Sequence, residues 1–217
     1  MNIINLSEQN SVLNQFLKEI RSVDIQNDSM RFRRNMERIG EIMAYEISKT
    51  FVFQTQNVET PLGVSPTNII QNEVVIATIL RAGLPFHNGL LNYFDGAENA
   101  FVSAYRKHKD ALKFEVFIEY IASPCLDNKT LIVADPMLAT GGSMELTCSA
   151  LLTKGNPSHI HICSVIASQS AIDYLTTTFP TTNATLWVAA IDPTLNDHSY
   201  IVPGLGDAGD LAFGEKL

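Results

Sequence analysis

Leu131-Ile132-Val133-Ala134-Asp135-Pro136-Met137-Leu138-Ala139-Thr140-Gly141-Gly142-Ser143 is the stretch that decides the fold of this chain. Its first four residues are apolar and read as a buried strand. Asp135 stands at the strand's end, and small residues then close on Gly141-Gly142-Ser143. Beyond them Met144, Cys148, Leu151 and Leu152 fall at i, i+4, i+7 and i+8, the stripe of an amphipathic helix. Strand, acidic turn, glycine-rich loop and helix N-terminus together make a cradle for phosphate. Glycine lets backbone N–H groups turn inward, and the helix dipole favours an anion there. An Asp beside the cradle suits a ribose diol or a hydrated Mg²⁺. The stretch reads as a site for a phosphorylated sugar.

Outward from it, strands alternate with helices. Val74–Leu80, Ala100–Tyr105, Leu131–Ala134, Ile160–Ala167 and Thr185–Ala190 read as strands. Helices are expected over Arg31–Lys49, from Gly83 to about Phe94, and near 144–153 and 169–178, the last capped by Ser168. In the first helix Phe32, Met36, Ile39, Met43 and Ile47 share one stripe. This alternation predicts an α/β fold, a mostly parallel sheet flanked by helices, with ligands at the carboxyl ends of its strands. Arg81, Arg106 and Asp135 are each expected just past a strand's end and so on one edge. Between about 106 and 124, Phe114, Val116, Ile118 and Tyr120 alternate with Glu115, Phe117 and Glu119, which reads as a projecting β-arm. No repeat or linker divides the chain, so residues 1–217 are read as a single domain.

Composition narrows the function. The 217 residues are 46% hydrophobic, enough for one large core. No run approaches the roughly 18–20 apolar residues of a membrane span, and no basic residue precedes Lys18, which argues against a signal peptide. Cys125, Cys148 and Cys163 show no CxxC spacing; an odd number of thiols fits a reducing, cytoplasmic setting, and each reads as a small buried hydrophobe. The net charge of −8 argues against nucleic acid as a partner. A polyanionic substrate must therefore be met by local donors: backbone amides, a helix N-terminus, Mg²⁺ and a few arginines.

Asp135-Pro-Met-Leu-Ala-Thr-Gly-Gly-Ser143 resembles the phosphoribosyl-pyrophosphate (PRPP) loop of type I phosphoribosyltransferases, in the spelling of the uracil-specific members. Ile79-Leu-Arg81-Ala-Gly83-Leu84 agrees with that group. So does the C-terminal run Ile191-Asp192, Leu195-Asn-Asp-His198, Tyr200-Ile-Val-Pro-Gly-Leu-Gly-Asp-Ala-Gly-Asp210 and Phe213-Gly214. The similarity reaches from about Arg31 to the C-terminus and is thinnest between Lys107 and Asn128.

The resemblance implies conversion of uracil and PRPP to UMP and diphosphate in pyrimidine salvage. It implies a type I phosphoribosyltransferase-like fold with a C-terminal hood, a base-binding loop at about 192–214. Asp135, Arg106 and Asp207 would be catalytic. Arg81, Arg106, Asp135, Pro136, Met137, Leu138, Ala139, Thr140, Gly141, Gly142, Ser143 and Asp207 would bind PRPP. Ile201, Gly206, Asp207 and Ala208 would bind uracil. Mg²⁺ is the implied cofactor, held mainly by PRPP and water rather than by protein ligands. A cis Arg81–Ala82 peptide is implied in the pyrophosphate loop. A homodimer or higher homo-oligomer is implied as well, and room is left for a GTP effector.

Other features read more plainly. Gly204-Leu-Gly206-Asp-Ala-Gly209 matches GxGxxG, but that fingerprint must open a helix inside a βαβ unit; here it reads as a rigid pocket loop. His159 and His161 share a strand face without a partner at metal-ligand spacing. Arg31, Arg33, Arg34 and Arg38 read as a solvated helix face, and Lys107, His108 and Lys109 as a solvated basic run. The competing reading is a regulator that binds PRPP or UMP without turnover, which Arg81, Arg106 and Asp207 speak against.

Overall fold

In the computed structural model, residues 1–110, 113–179, 181 and 183–216 are described, with side chains at all of these except 104–110 and 113–117. Strand β1 spans Asn2–Asn5, followed by helices α1 (Leu13–Arg21) and α2 (Ser29–Ser48). Strands β2 (Phe53–Thr60) and β3 (Gly63–Ile70) pair as a separate antiparallel ribbon. Next come β4 (Val74–Leu80), α3 (Leu84–Leu91), β5 (Glu98–Asp110), β6 (Lys113–Ala122), β7 (Thr130–Ala134) and β8 (Met137–Leu138). Helix α4 (Gly142–Leu151), β9 (His159–Ser168), α5 (Gln169–Thr178) and β10 (Ala184–Asp192) continue the alternation. Strands β11 (Thr194–Leu195) and β12 (Ile201–Val202) and helix α6 (Ala208–Phe213) end the chain.

The main sheet runs β1-β10-β9-β7-β4-β5-β6, with β8 beside β9. All neighbours along it are parallel except β5 and β6. Every residue of β7 is buried, as a central strand covered on both faces requires. Ile132 and Ala134 join the apolar layer beneath α1, α2, α3 and α6, while Leu131 and Val133 join that beneath α4 and α5. Helix α2 is capped by Asp28, whose carboxylate accepts from Arg31 N at 3.0 Å. Phe32, Met36, Ile39, Met43 and Ile47 are all at 0–1% exposure, each contributing about 1.5–3 kcal/mol of burial.

The expected strands and helices are present, with ends shifted by a few residues. Four readings need correction. Helix α3 stops at Leu91 rather than near Phe94. Arg106 does not follow a strand's end: β5 passes through an irregularity at Ser103/Ala104 and pairs with β6 as far as Asp110↔Lys113, so Arg106 lies within the arm. The helix-face arginines are not simply solvated. Arg31 pairs with buried Glu19, Arg33 donates to the Ala212 carbonyl, Arg34 pairs with Glu37 and Glu41, and Arg38 lies over the Phe16 ring. Hydrogen bonds from Asn35, Gln15 and Arg31 hold the Glu19 carboxyl at about 2 against its burial. Cys148 and Cys163 are buried as expected, whereas Cys125 is exposed.

Candidate active site

The phosphate loop is shorter than it looks in sequence. After Asp135, Met137 and Leu138 pair with Ile166 and Ala167 of β9, and the Pro136 carbonyl accepts from Val165 N and Ile166 N at 3.2 and 3.0 Å. Leu138 is 2% exposed, so its side chain belongs to the core. The open part is Ala139–Ser143. Ser168 Oγ donates to the Ala139 carbonyl at 2.6 Å and accepts from Ala171 N at 3.0 Å, capping α5 and bracing the loop together. Gly141 turns the chain at φ +86° into α4. The N–H groups of that first helical turn have no intrahelical carbonyl to reach, which makes the helix start able to take an anion. A Cβ on Gly142 would meet nothing within 4 Å, so the space over the helix start is open.

Asp135, half-buried, sits beside this cradle at the carboxyl end of β7, with its backbone N–H donating to the Cys163 carbonyl at 3.0 Å. Across the same edge, Arg81 follows β4. The cis peptide here is Leu80–Arg81, not Arg81–Ala82 as the resemblance implied. The chain already turns as a unit over 81–84, with Gly83 N donating to the Ile79 carbonyl and Leu84 N to that of Arg81. Gly83 is obligatory at that turn, since a Cβ would stand 2.1 Å from Thr78 Oγ1. The Arg81 guanidinium reaches the C-terminal segment, donating to Asp210 Oδ1 at 3.1 Å and the Gly214 carbonyl at 3.2 Å.

That segment is not loop throughout. Asp207 Oδ1 accepts from Gly209 N and Asp210 N at 2.8 and 3.0 Å and starts helix α6, a cap that costs about 1 kcal/mol to remove. Its Oδ2 accepts from Lys216 Nζ at 3.0 Å. Burial works against the Asp207 charge, but Lys216 and the two N–H donors outweigh it and hold the pKa below the ordinary aspartate value. Arg33 anchors the far end of α6 through the Ala212 carbonyl at 2.7 Å.

Upstream, Val202–Pro203 is cis, and Gly204 and Gly206 have φ of +57° and +94°. Ile201 and Ala208 are 5% and 3% exposed, so their side chains pack in the core and only their backbone faces the segment. Gly206 is exposed with open space at its Cβ position. Arg21 and Asp192 form a bidentate ion pair behind this turn, at 2.7 and 2.8 Å.

The structure thus brings Asp135, Ala139–Ser143, Arg81 and Asp207 to one sheet edge; the Arg106 side chain lies outside the described residues. Asp210 and Lys216 were not singled out from sequence, nor was any role for Arg21, Asp192 or the second bond of Ser168. The acidic run Asp207-Ala-Gly-Asp210 facing Arg81 was a readable signal. A contact 171 residues apart was not.

A family model described as uracil phosphoribosyltransferase matches residues 7–215. A uracil phosphoribosyltransferase of Porphyromonas gingivalis is 64% identical over 217 residues, covering 100% of each chain. A solved structure of a protein from Aquifex aeolicus superposes with a TM-score of 0.87 at 28% identity, covering 98% of both chains. A hypoxanthine phosphoribosyltransferase from Staphylococcus aureus superposes at 0.52 and 14% identity, over 86% of this chain and 84% of its own, which speaks to the fold alone.

Proposed function

We infer the workings of the site from one premise: the chain belongs to the uracil phosphoribosyltransferase family. It is a pentosyltransferase that converts uracil and PRPP to UMP and diphosphate. The N1 of uracil gives up its proton to solvent and bonds to the anomeric carbon as the carbon–oxygen bond to diphosphate breaks, its electron pair leaving with diphosphate. The protein's part is to align the two and stabilise the departing charge.

In our reading the backbone of Ala139–Ser143 holds the 5′-phosphate and Asp135 the ribose hydroxyls. Pro136, Met137 and Leu138, tied to β9, carry the chain from Asp135 into the cradle rather than bonding PRPP themselves. Arg81 and Arg106 neutralise diphosphate, and Asp207 orders the mouth between diphosphate and base. Ile201 and Gly206–Ala208 present backbone groups to uracil. The observation that carries this reading is the reach of Arg81 across the mouth to Asp210, which sets the leaving-group side and the base segment against each other at 3.1 Å. Phosphoribosyltransferases use Mg²⁺ with PRPP. Asp207 and Asp210 are already taken by Lys216, Arg81 and backbone N–H groups, and among the described residues no cluster of three or more His, Cys, Asp or Glu could hold a metal. Mg²⁺ would therefore be carried in on PRPP, held mainly by its oxygens and water, and would offset diphosphate charge. In the same reading residues 1–217 act as one domain and the reaction takes place in the cytoplasm. No described helix is long and apolar enough to cross a membrane. The same reading has the chain act as a homo-oligomer with GTP as an effector. Nothing in the site favours the non-catalytic regulator.

Asp135→Asn tests the assignment. UMP formation from labelled uracil should fall by about 2–4 kcal/mol in kcat/KM with the melting temperature unchanged. Full activity in the folded variant removes Asp135 from the site.

A further inference from the structure

Both backbone polar groups of Gly204 are taken by charged side chains. Its N–H donates to Asp192 Oδ2 at 2.8 Å, and its carbonyl accepts from Arg21 Nη1 at 2.9 Å. The same two side chains bind each other through Nη1–Oδ2 at 2.8 Å and Nη2–Oδ1 at 2.7 Å. A planar guanidinium joined to a carboxylate by two parallel bonds has little freedom to rotate. Asp192 ends β10, in register with Ser168 of β9, and is 4% exposed. Arg21 is the last residue of α1. The pair therefore rests on the sheet and on the N-terminal helix layer at once, with the Gly204 peptide held between them. Gly204 itself admits no side chain, because a Cβ would lie 2.1 Å from the Ile201 carbonyl oxygen. Two residues on, Gly206 begins the segment that leads into Asp207 and Ala208.

We propose that Arg21 and Asp192 are positioning residues for base recognition, a bracket that fixes the orientation of the 201–208 backbone without touching either substrate. This rests on the reading of Ile201 and Gly206–Ala208 as the uracil site. Rejection of a base with reversed donor and acceptor requires backbone groups that cannot turn to meet it. If the Gly204 peptide is released, the N–H groups after it gain that freedom. Phosphate binding by Ala139–Ser143 draws on the start of α4; it meets the bracket at β9, where Ser168 braces Ala139 and stands in register with Asp192, through backbone pairing rather than through the Arg21–Asp192 side-chain bonds.

The test is a comparison of KM values for Arg21→Met, Arg21→Lys, Asp192→Asn and Gly206→Ala. A loss of folded protein lowers kcat in proportion but leaves KM unchanged, so instability does not imitate the effect. Arg21→Lys keeps the charge and serves if Arg21→Met does not accumulate. For Arg21→Met we expect the uracil KM to rise about tenfold or more, the PRPP KM to stay within about threefold, and discrimination against cytosine to fall about tenfold. Arg21→Lys, which lacks the fork, falls between wild type and Arg21→Met. If Gly206→Ala raises the uracil KM while the Arg21 and Asp192 variants leave it unchanged, the bracket is overturned and the base site stands. Parallel rises in both KM values also overturn it. An unchanged uracil KM in Gly206→Ala overturns the base-site reading and the bracket with it.

Discussion

Two adjacent glycines in the phosphate loop should fail in different ways. Gly141 has φ +86°, a conformation that costs an L-residue about 1–2 kcal/mol. Its Cβ would also stand 2.8 Å from Tyr174 Cδ1 and 3.3 Å from the Ala171 carbonyl oxygen. Tyr174 is 37% exposed and has room to swing, at the expense of its hydroxyl bond to Glu145 Oε2 at 3.3 Å. Gly141→Ala should thus cost about 1.5–3 kcal/mol in all, roughly 3–12 °C in Tm for a chain of this size. Gly142 lacks a positive φ and has open space at its Cβ. Gly142→Val should leave stability within about 1 kcal/mol while placing two methyl groups over the helix start. Blocking two charge-assisted N–H bonds to phosphate, at about 1.5–3 kcal/mol each, implies a loss of roughly 10²–10⁴ in PRPP affinity. Calorimetric titration of PRPP with Mg²⁺, beside thermal melts, separates the two. A folded Gly142→Val variant that binds PRPP like wild type would refute the placement of the 5′-phosphate. An unchanged Tm in Gly141→Ala would refute the strain argument.

Arg81→Met should raise the PRPP KM about tenfold or more, because Arg81 is assigned to diphosphate. Its pair with Asp210 is 43% and 30% exposed, so stability should change by less than about 1 kcal/mol; a large drop in Tm without a change in KM would make Arg81 structural. Acid should destabilise the protein through His161, which burial and then the charge of His159 hold at about 3. Its Nδ1 accepts from Trp187 Nε1 at 3.0 Å. The folded pKa lies below the unfolded value of about 6.5, so this stability is present above pH 6.5 and lost as pH falls toward 3, at up to about 1.4 kcal/mol per pH unit. Denaturant melts of His161→Gln should show a shallower slope between pH 6 and 4, and an unchanged slope would contradict the assignment.

The order of the central elements was legible because burial leaves a plain trace. A strand covered on both faces, such as Thr130–Ala134, must be apolar throughout, and α2 must repeat its apolar residues every three or four positions. The ribbon of β2 and β3 left no such trace: nearly every residue in it is exposed, and Phe53–Ile70 is largely polar with a proline inside β3. Helix α6 was hidden in a glycine-rich stretch whose spacing suggested loop. Only the carboxylate of Asp207, taking two backbone N–H groups, turns it helical. Within the site, the glycine that must turn is Gly141 rather than Gly142, a distinction two identical neighbours do not betray. Arg21 is the plainest case of what was out of reach. Its partner is fixed by how α1 lies on the sheet edge, and nothing local to either residue announces the pair.

Diphosphate release with a panel of bases tests the central claim most directly. Uracil offers an acceptor at O4 beside the N3–H donor, and cytosine reverses both. In the proposed base site, backbone N–H groups at Gly206–Ala208 and a carbonyl near Ile201, held by the bonds of Asp192 and Arg21 to Gly204, cannot invert to suit it. Two mismatched groups at about 1–3 kcal/mol each imply discrimination of roughly 10²–10⁴ in kcat/KM. The account predicts turnover with uracil and with 5-fluorouracil, and negligible turnover with cytosine, hypoxanthine, adenine or orotate. Comparable kcat/KM for uracil and any of those four would contradict it.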